Sequence, residues 1–338
     1  MYTEYFKFSG LPFQLTPDAR FFFGSTGHSK AMAHLTYGLG QGEGFIIITG
    51  EIGAGKTTIV EHLLQQLDSR KYIAAKIANT QLGADDTLRM VASAFGVTQE
   101  GADKATLLRR FEAFLTRSQQ QGQRVLLVID ECQNLSVPAL EELRMLSNIQ
   151  VQGKTPLQSF LLGQPQFRET LAREELDQLR QRVIASYHLG PIGEAETRRY
   201  IEHRLRTVGW ESDPRFSDQV FPAIYRHTGG VPRKINTLCS RLLLFGFLEE
   251  RHDLGEPDVD EVARDLAEEL NRILPPQTNG AAAASEAAAN GAATNGAAAA
   301  SSEVLERLSV LESYVRSHDR TIRRVLKIAS DYLEGRRV

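Results

Sequence analysis

Gly50-Glu51-Ile52-Gly53-Ala54-Gly55-Lys56-Thr57-Thr58 is the stretch whose reading decides the fold. It fits the pattern G-x-x-x-x-G-K-[ST], and its flanks agree: the β-branched run Phe45 to Thr49 leads straight in, and a helical pattern, Ile59 to Leu67, leads out. Glycines here let backbone N–H groups turn inward around phosphate oxygens, and the helix N-terminus adds its partial positive charge. In such a P-loop, Lys56 reaches the β and γ phosphates of ATP, and Thr57 ligates Mg²⁺. The whole loop from Gly50 to Thr58 is therefore the expected nucleotide cradle.

Working outward, Val125-Leu-Leu-Val-Ile-Asp-Glu131 reads as a buried strand ending in two acids, where a parallel sheet presents its carboxyl ends to ligands. Asp130 is expected to hold Mg²⁺ with Thr57, and Glu131 to orient and deprotonate an attacking water. The short apolar runs at Phe45 to Thr49, Tyr72 to Ala78, Val125 to Ile129, Ser159 to Leu162 and Ser186 to Leu189 alternate with helical stretches, which predicts an α/β parallel sheet. After Pro191 the pattern is all-helical: Glu194 to Val208, Asp218 to Thr228, Arg233 to Glu249 and Asp258 to Asn271. The expected organisation is an α/β core with an N-terminal aromatic strap over residues 1–190 and a helical lid over 191–274. A low-complexity linker over 275–302 and a heptad helix over 303–335 follow.

The linker contains Ala, Asn, Gly, Ser and Thr almost alone, too few large apolar groups to offset the entropy of ordering. Beyond it, Val304, Leu308, Leu311, Val315, His318, Ile322, Val325, Ala329 and Tyr332 recur at alternating spacings of four and three. That spacing predicts a coiled coil. The alternative is an amphipathic helix packed on the body or lying on a membrane, with Arg316, Arg320, Arg323, Arg324 and Lys327 towards lipid.

Composition bounds the rest. A formal charge of −3 gives no overall basic character pointing to nucleic acid, and the 338 residues allow more than one folded unit. Cys132 and Cys239 are far apart and outside any metal-ligand spacing, which suits core thiols in a reducing cytoplasm. Met1 to Gly10 lacks the pattern of a signal peptide, and the longest apolar runs are far shorter than a membrane span. His28 and His34 have no acid or thiol beside them to complete a ligand set and read as helix-face residues.

Further motifs carry a family resemblance. Gly10-Leu-Pro-Phe13 with Thr16-Pro-Asp18 and Arg20 to Phe23, the P-loop, Asp130-Glu-Cys-Gln-Asn-Leu135, Gly163-Gln-Pro165, Leu179-Arg-Gln-Arg182 and Gly229-Gly-Val-Pro-Arg-Lys-Ile-Asn236 cover most of residues 1–270. Together they resemble AAA+ ATPases of the general secretion pathway protein A type, and among these the secretion ATPases of exosortase and PEP-CTERM exopolysaccharide loci. The resemblance implies a sensor-1 role for Gln164, at the end of the fourth strand, and an arginine finger in Arg180 or Arg182, acting on a neighbouring subunit's nucleotide. It implies a sensor-2 role for Arg233 and a polar switch in Asn79 restraining Glu131. Phe13, Phe21, Phe22 and Phe23 either wrap the adenine or anchor the strap.

These readings imply ATP and Mg²⁺ as cofactors and a homo-oligomer completed by the trans finger. They further imply a cytoplasmic ATPase supporting an envelope secretion or exopolysaccharide system, docking on a membrane-associated partner through its C-terminal helix. Longer relatives of this type carry a transmembrane helix and a peptidoglycan-binding domain where this sequence has the linker and heptads. Two other functions stay open: a DNA-associated AAA+ regulator of the transposition type, and a slow nucleotide-gated scaffold.

Overall fold

The computed structural model describes residues 2–16, 18–78 and 84–273. Asn79, the linker over 275–302 and the heptad helix over 303–335 lie outside the described residues.

Five strands, β1 (Phe45–Gly50), β2 (Tyr72–Ile77), β3 (Arg124–Ile129), β4 (Leu157–Gly163) and β5 (Val183–Leu189), form one sheet in the order β2-β3-β4-β1-β5. Every pairing in it is parallel. The expected α/β class holds, and the sequence runs foresaw each strand to within a few residues.

The helices, in chain order, are α1 (Tyr2–Tyr5), α2 (Thr26–Gln41), α3 (Lys56–Gln66), α4 (Ala84–Ala94), α5 (Lys104–Gln120), α6 (Val137–Leu146), α7 (Gln166–Leu171), α8 (Asp177–Arg180), α9 (Glu194–Thr207), α10 (Val220–Thr228), α11 (Pro232–Leu248) and α12 (Glu256–Ile273). Strand side chains alternate between the two faces of the sheet. Phe45 and Ile47 join Val125, Leu127, Phe111 and Leu143 on one face, covered by α4, α5 and α6. Ile46 and Ile48 join Leu126, Val128, Phe160 and Leu35 on the other, covered by α2 and α3. Burial on both faces explains why these strands read as continuous apolar runs rather than as alternating ones.

A separate apolar cluster holds the helices after Pro191. Tyr200, Ile201 and Leu205 of α9, Phe221 and Ile224 of α10, Ile235, Leu238, Leu242 and Leu243 of α11 and Val259 of α12 are its buried residues. The N-terminal strap packs in this cluster: Tyr2, Phe6, Phe8, Phe13 and Phe21 are buried there among the lid residues, not against the sheet. Burying one phenylalanine contributes about 2–3 kcal/mol, so five aromatic residues make the strap a structural part of the helical layer. The chain then passes to the core through Phe22 to Ser25. Beside that crossing, the Thr26 backbone N–H and hydroxyl both donate to Glu196 Oε1 at the start of α9 (2.8 and 2.9 Å).

Candidate functional site: a phosphate cradle between sheet and lid

Register sets the site. Thr49 of β1 is level with Gly163 of β4, and Ile129 of β3 is level with Leu161, so the P-loop, Asp130-Glu131 and Gln164 leave three adjacent strands at one edge of the sheet. Lining from this edge, from the lid and from the strap encloses a cavity of about 330 Å³.

Gly53 and Gly55 of the P-loop are required by close approach. Gly55, at φ +98°, faces His28, and a Cβ there would lie 2.7 Å from His28 Nε2. Gly53, at φ +81°, is covered by Arg233, where a Cβ would collide with the arginine's own Cβ. The Arg233 backbone N–H also donates to the Gly53 carbonyl (3.2 Å), which fastens the first turn of α11 to the loop. The motif thus leaves room for two close neighbours at once.

Lys56 is buried, its ammonium donating to the carbonyls of Gly50 (2.7 Å) and Glu51 (3.0 Å). Burial lowers its pKa, opposed by the charges of Glu131, Asp130 and Glu51. Thr57 Oγ1 donates to Asp130 Oδ2 at 2.6 Å, while Asp130 Oδ1 accepts from the Glu131 backbone N–H (3.0 Å). A hydroxyl and a carboxylate oxygen converging in this way form the hard-oxygen donor set that Mg²⁺ prefers, so the residues fit the ion.

Glu131 has φ +54° and ψ +42°, a left-handed conformation uncommon for a residue with a side chain. Its Oε2 accepts from Gln133 Nε2 (2.5 Å) and Gln164 Nε2 (3.1 Å). Burial pushes the Glu131 carboxyl up, but these two amides and the Lys56 charge outweigh it and hold the group below the ordinary value. It is a carboxylate at neutral pH. The Gln164 backbone N–H is itself held by Gln133 Oε1 (3.0 Å), so Gln133, given no role by the sequence reading, orders both partners.

Glu51 and Ala54 belong to the turn that gives the loop its shape, with the Ala54 N–H donating to the Glu51 carbonyl (3.1 Å). Ile52 and Thr58 line the cavity, and the Ile52 side chain is exposed. Arg233 lines the cavity, and its guanidinium has no hydrogen-bonding partner among the described residues. Arg180 and Arg182 do not line it. Arg180 pairs with Asp177 and donates to the carbonyls of Leu171 and Arg173 (both 2.7 Å), whereas Arg182 donates to the Ser147 carbonyl (3.0 Å). Cys132 and Cys239 are buried thiols whose pKa values burial pushes up.

Sequence reasoning missed His28. It is not a plain helix-face residue: it is buried, lines the cavity, hydrogen-bonds the Ala54 backbone and sits with Nδ1 2.6 Å from the N-cap Ser25 Oγ. His34, by contrast, packs against Tyr187. Phe22 stacks on His62 at 4.0 Å, and Phe21 is buried beneath the guanidinium of Arg204 at 4.7 Å. Tyr200 and Arg204 of the lid also line the cavity, and no short motif marks them; Asn236, which closes the Gly229–Asn236 motif, lines it with them.

A family model described as "AAA domain" matches residues 39–171, which contain the P-loop, Asp130, Glu131 and Gln164. Over that stretch the chain is similar to an AAA domain. General secretion pathway protein A of Aeromonas hydrophila is 35% identical over 268 residues, covering 79% of this chain and 49% of that relative. The chain thus spans about half the length of that protein. Among solved structures, Cdc6p from Pyrobaculum aerophilum is similar with a TM-score of 0.58 at 15% identity, covering 81% of this chain and 74% of that one. The Aeropyrum pernix ORC2 protein in its ADPNP-ADP complexes is similar at 0.53 and 16% identity, covering 71% and 66%. These likenesses are in fold, and the fold is that of the P-loop AAA+ proteins. Among the described residues, no helix is long and apolar enough to cross a membrane.

Proposed function

We propose that this AAA+ protein binds Mg²⁺-ATP between sheet and lid and hydrolyses it, with Glu131 as the base. The observation that carries the reading is the chain Lys56, Thr57–Asp130, Glu131–Gln164, assembled from three strand ends that only the folded sheet brings together. Thr57 and Asp130 would hold the Mg²⁺, which when bound neutralises phosphate charge. Lys56 exchanges its two loop carbonyls for phosphate oxygens. Glu131, kept ionised by Gln133 and Gln164, accepts the proton of the attacking water, and Gln164 stands where it can steer that water. Arg233, joined through its backbone to Gly53, supplies a cation from the lid, so nucleotide state and lid position are coupled.

The finger is assigned to Arg180. It is exposed, and its two backbone acceptors can be hydrated when it leaves, whereas Arg182 is half-buried and donates to Ser147. The active form is then a homo-oligomer in which each site is completed by the next subunit. The 35% identity to a secretion pathway protein supports service to an envelope secretion system, and the motif set named above points to an exosortase-associated exopolysaccharide one, with a membrane-associated partner.

The test is ATP turnover and solution mass with and without ATP, for wild type, Lys56→Ala, Arg180→Ala and an equimolar mixture of the two variants. Wild type should assemble and turn over, each variant should be inactive, and the mixture should regain activity because an intact P-loop meets an intact arginine across the interface. A mixture as inactive as its parts rejects the trans finger. Wild type that binds ATP but neither assembles nor hydrolyses supports the nucleotide-gated scaffold instead. For the biological role, loss of surface polysaccharide on deletion, restored by wild type and not by Glu131→Gln, is the expected result.

A further inference from the structure

Tyr200 and Arg204, one turn apart on α9, and Asn236 on α11 form a line of hydrogen bonds on the lid side of the cavity. Arg204 Nη1 donates to the Tyr200 hydroxyl at 3.0 Å, and that hydroxyl lies 2.8 Å from Asn236 Oδ1. All three are more than nine-tenths buried, at 5%, 7% and 7% exposure, yet all three line the cavity. Among the described residues Arg204 has no carboxylate partner; its other donors reach the carbonyls of Pro12 (2.6 Å) and Gln14 (3.3 Å) in the strap.

Chemistry fixes the direction of this line. A guanidinium can only donate, so the phenol oxygen accepts from Arg204 and its single proton goes to Asn236 Oδ1. Burial raises the Tyr200 pKa, which keeps that proton in place. With its oxygen so engaged, the Asn236 amide is oriented, and its Nδ2 group has no partner among the described residues. Pro232 and Asn236 stand one turn apart on the face of α11 that lines the cavity, beside Arg233, whose backbone is fastened to Gly53. Asn236 therefore lies about one helical rise of 5 Å further from the phosphate loop, on the way to the strap.

We propose that Asn236 reads the base of the nucleotide, its Nδ2 donating to a ring nitrogen of adenine, with Tyr200 and Arg204 as positioning residues that set the amide's orientation. The inference rests on the nucleotide reading above. It gives the buried, acid-free arginine a purpose: one side chain holds the strap at Pro12 and Gln14 and, through Tyr200, the Asn236 amide.

The experiment is competition binding to the full chain with Mg²⁺, comparing ATP with 1-deaza-, 3-deaza- and 7-deaza-ATP, each lacking one ring nitrogen. One analogue should bind wild type about three- to tenfold more weakly than ATP, the worth of one hydrogen bond. Asn236→Leu should bind that analogue and ATP alike. Tyr200→Phe should shrink the same ratio, whereas a merely structural role of the phenol would weaken all four ligands together. If all three analogues bind wild type as well as ATP does, the proposal is wrong, and that arm needs no variant to fold. A deficit that persists unchanged in Asn236→Leu, or in Asn236→Ala should the leucine not fold, overturns it as well. Failure of ATP itself to bind wild type overturns the nucleotide reading, an outcome distinct from ATP binding without base discrimination.

Discussion

The two walls of the cavity are built in opposite ways. On the sheet side, Gly50 to Thr58, Asp130-Glu131 and Gln164 sit at the ends of neighbouring strands, and each lies within or beside a short contiguous motif. On the lid side, Phe21, Tyr200, Arg204, Arg233 and Asn236 come from stretches on both sides of the core in sequence, brought together by burial of the strap's aromatic residues among the lid helices. Transferring a phosphoryl group needs fixed charges at fixed spacing, which one loop and one strand end can supply locally. Enclosing a ligand needs surfaces that can separate, and those are assembled over long range.

The largest expected effect tests the sheet wall. Glu131→Gln removes the base and leaves an amide of similar volume, so turnover should fall about 100-fold or more while ATP affinity stays within about threefold. Parallel losses of both would mean that Glu131 shapes the loop rather than acting on water.

Arg204→Ala should strike the other wall. It removes charge-assisted donations to Pro12 and Gln14, the bond to Tyr200 and the contact over Phe21, at a cost of about 3 kcal/mol. Proteolysis should then cut first between Phe8 and Phe22, with the Thr57–Asp130 end of the site still folded; cleavage of core and strap at equal rates would show the two walls to be one cooperative unit. Arg233→Ala, which leaves the backbone bond to Gly53 in place, should act on coupling alone, lowering turnover roughly tenfold with a smaller change in stability. A change confined to KM would place Arg233 with ground-state binding and not with closure.

Legibility in the sequence follows the same division. The P-loop and the acid pair could be read because strand, glycine turn and helix are local patterns, and all five strands could be read because burial on both faces leaves unbroken apolar runs. Gln164 and Arg233 came only through family resemblance, since nothing in Gly163-Gln-Pro165 announces a partner for Glu131. Placing the strap with the core went astray on long-range packing: Tyr2, Phe6 and Phe13 look the same in sequence whichever cluster receives them. One signal was available for Arg204. It follows Tyr200 by four residues and precedes Leu205, on the apolar face of α9, where a charged group needs a reason to be buried. His28 offers no such signal, because its position depends on how closely α2 approaches Gly55.

The smallest effect concerns that histidine and bears on how tightly α2 is held to the P-loop. Burial lowers the His28 pKa, outweighing the Ala54 hydrogen bond and the Glu196 charge, which both favour the protonated ring. Unfolded chains protonate histidine near pH 6.5, so below that value the unfolded state binds a proton that the folded state refuses. Stability from this group is therefore complete above about pH 6.5 and is lost as pH falls towards the lower folded value, at no more than about 1.4 kcal/mol per pH unit. His203, whose pKa burial also lowers, acts in the same direction. Urea midpoints at pH 7.5 and 5.5 should thus fall further for wild type than for His28→Gln, whose amide can still donate to Ala54 but does not titrate. Equal falls would mean that the ring accepts its proton in place, and that α2 and the P-loop part easily enough to hydrate it.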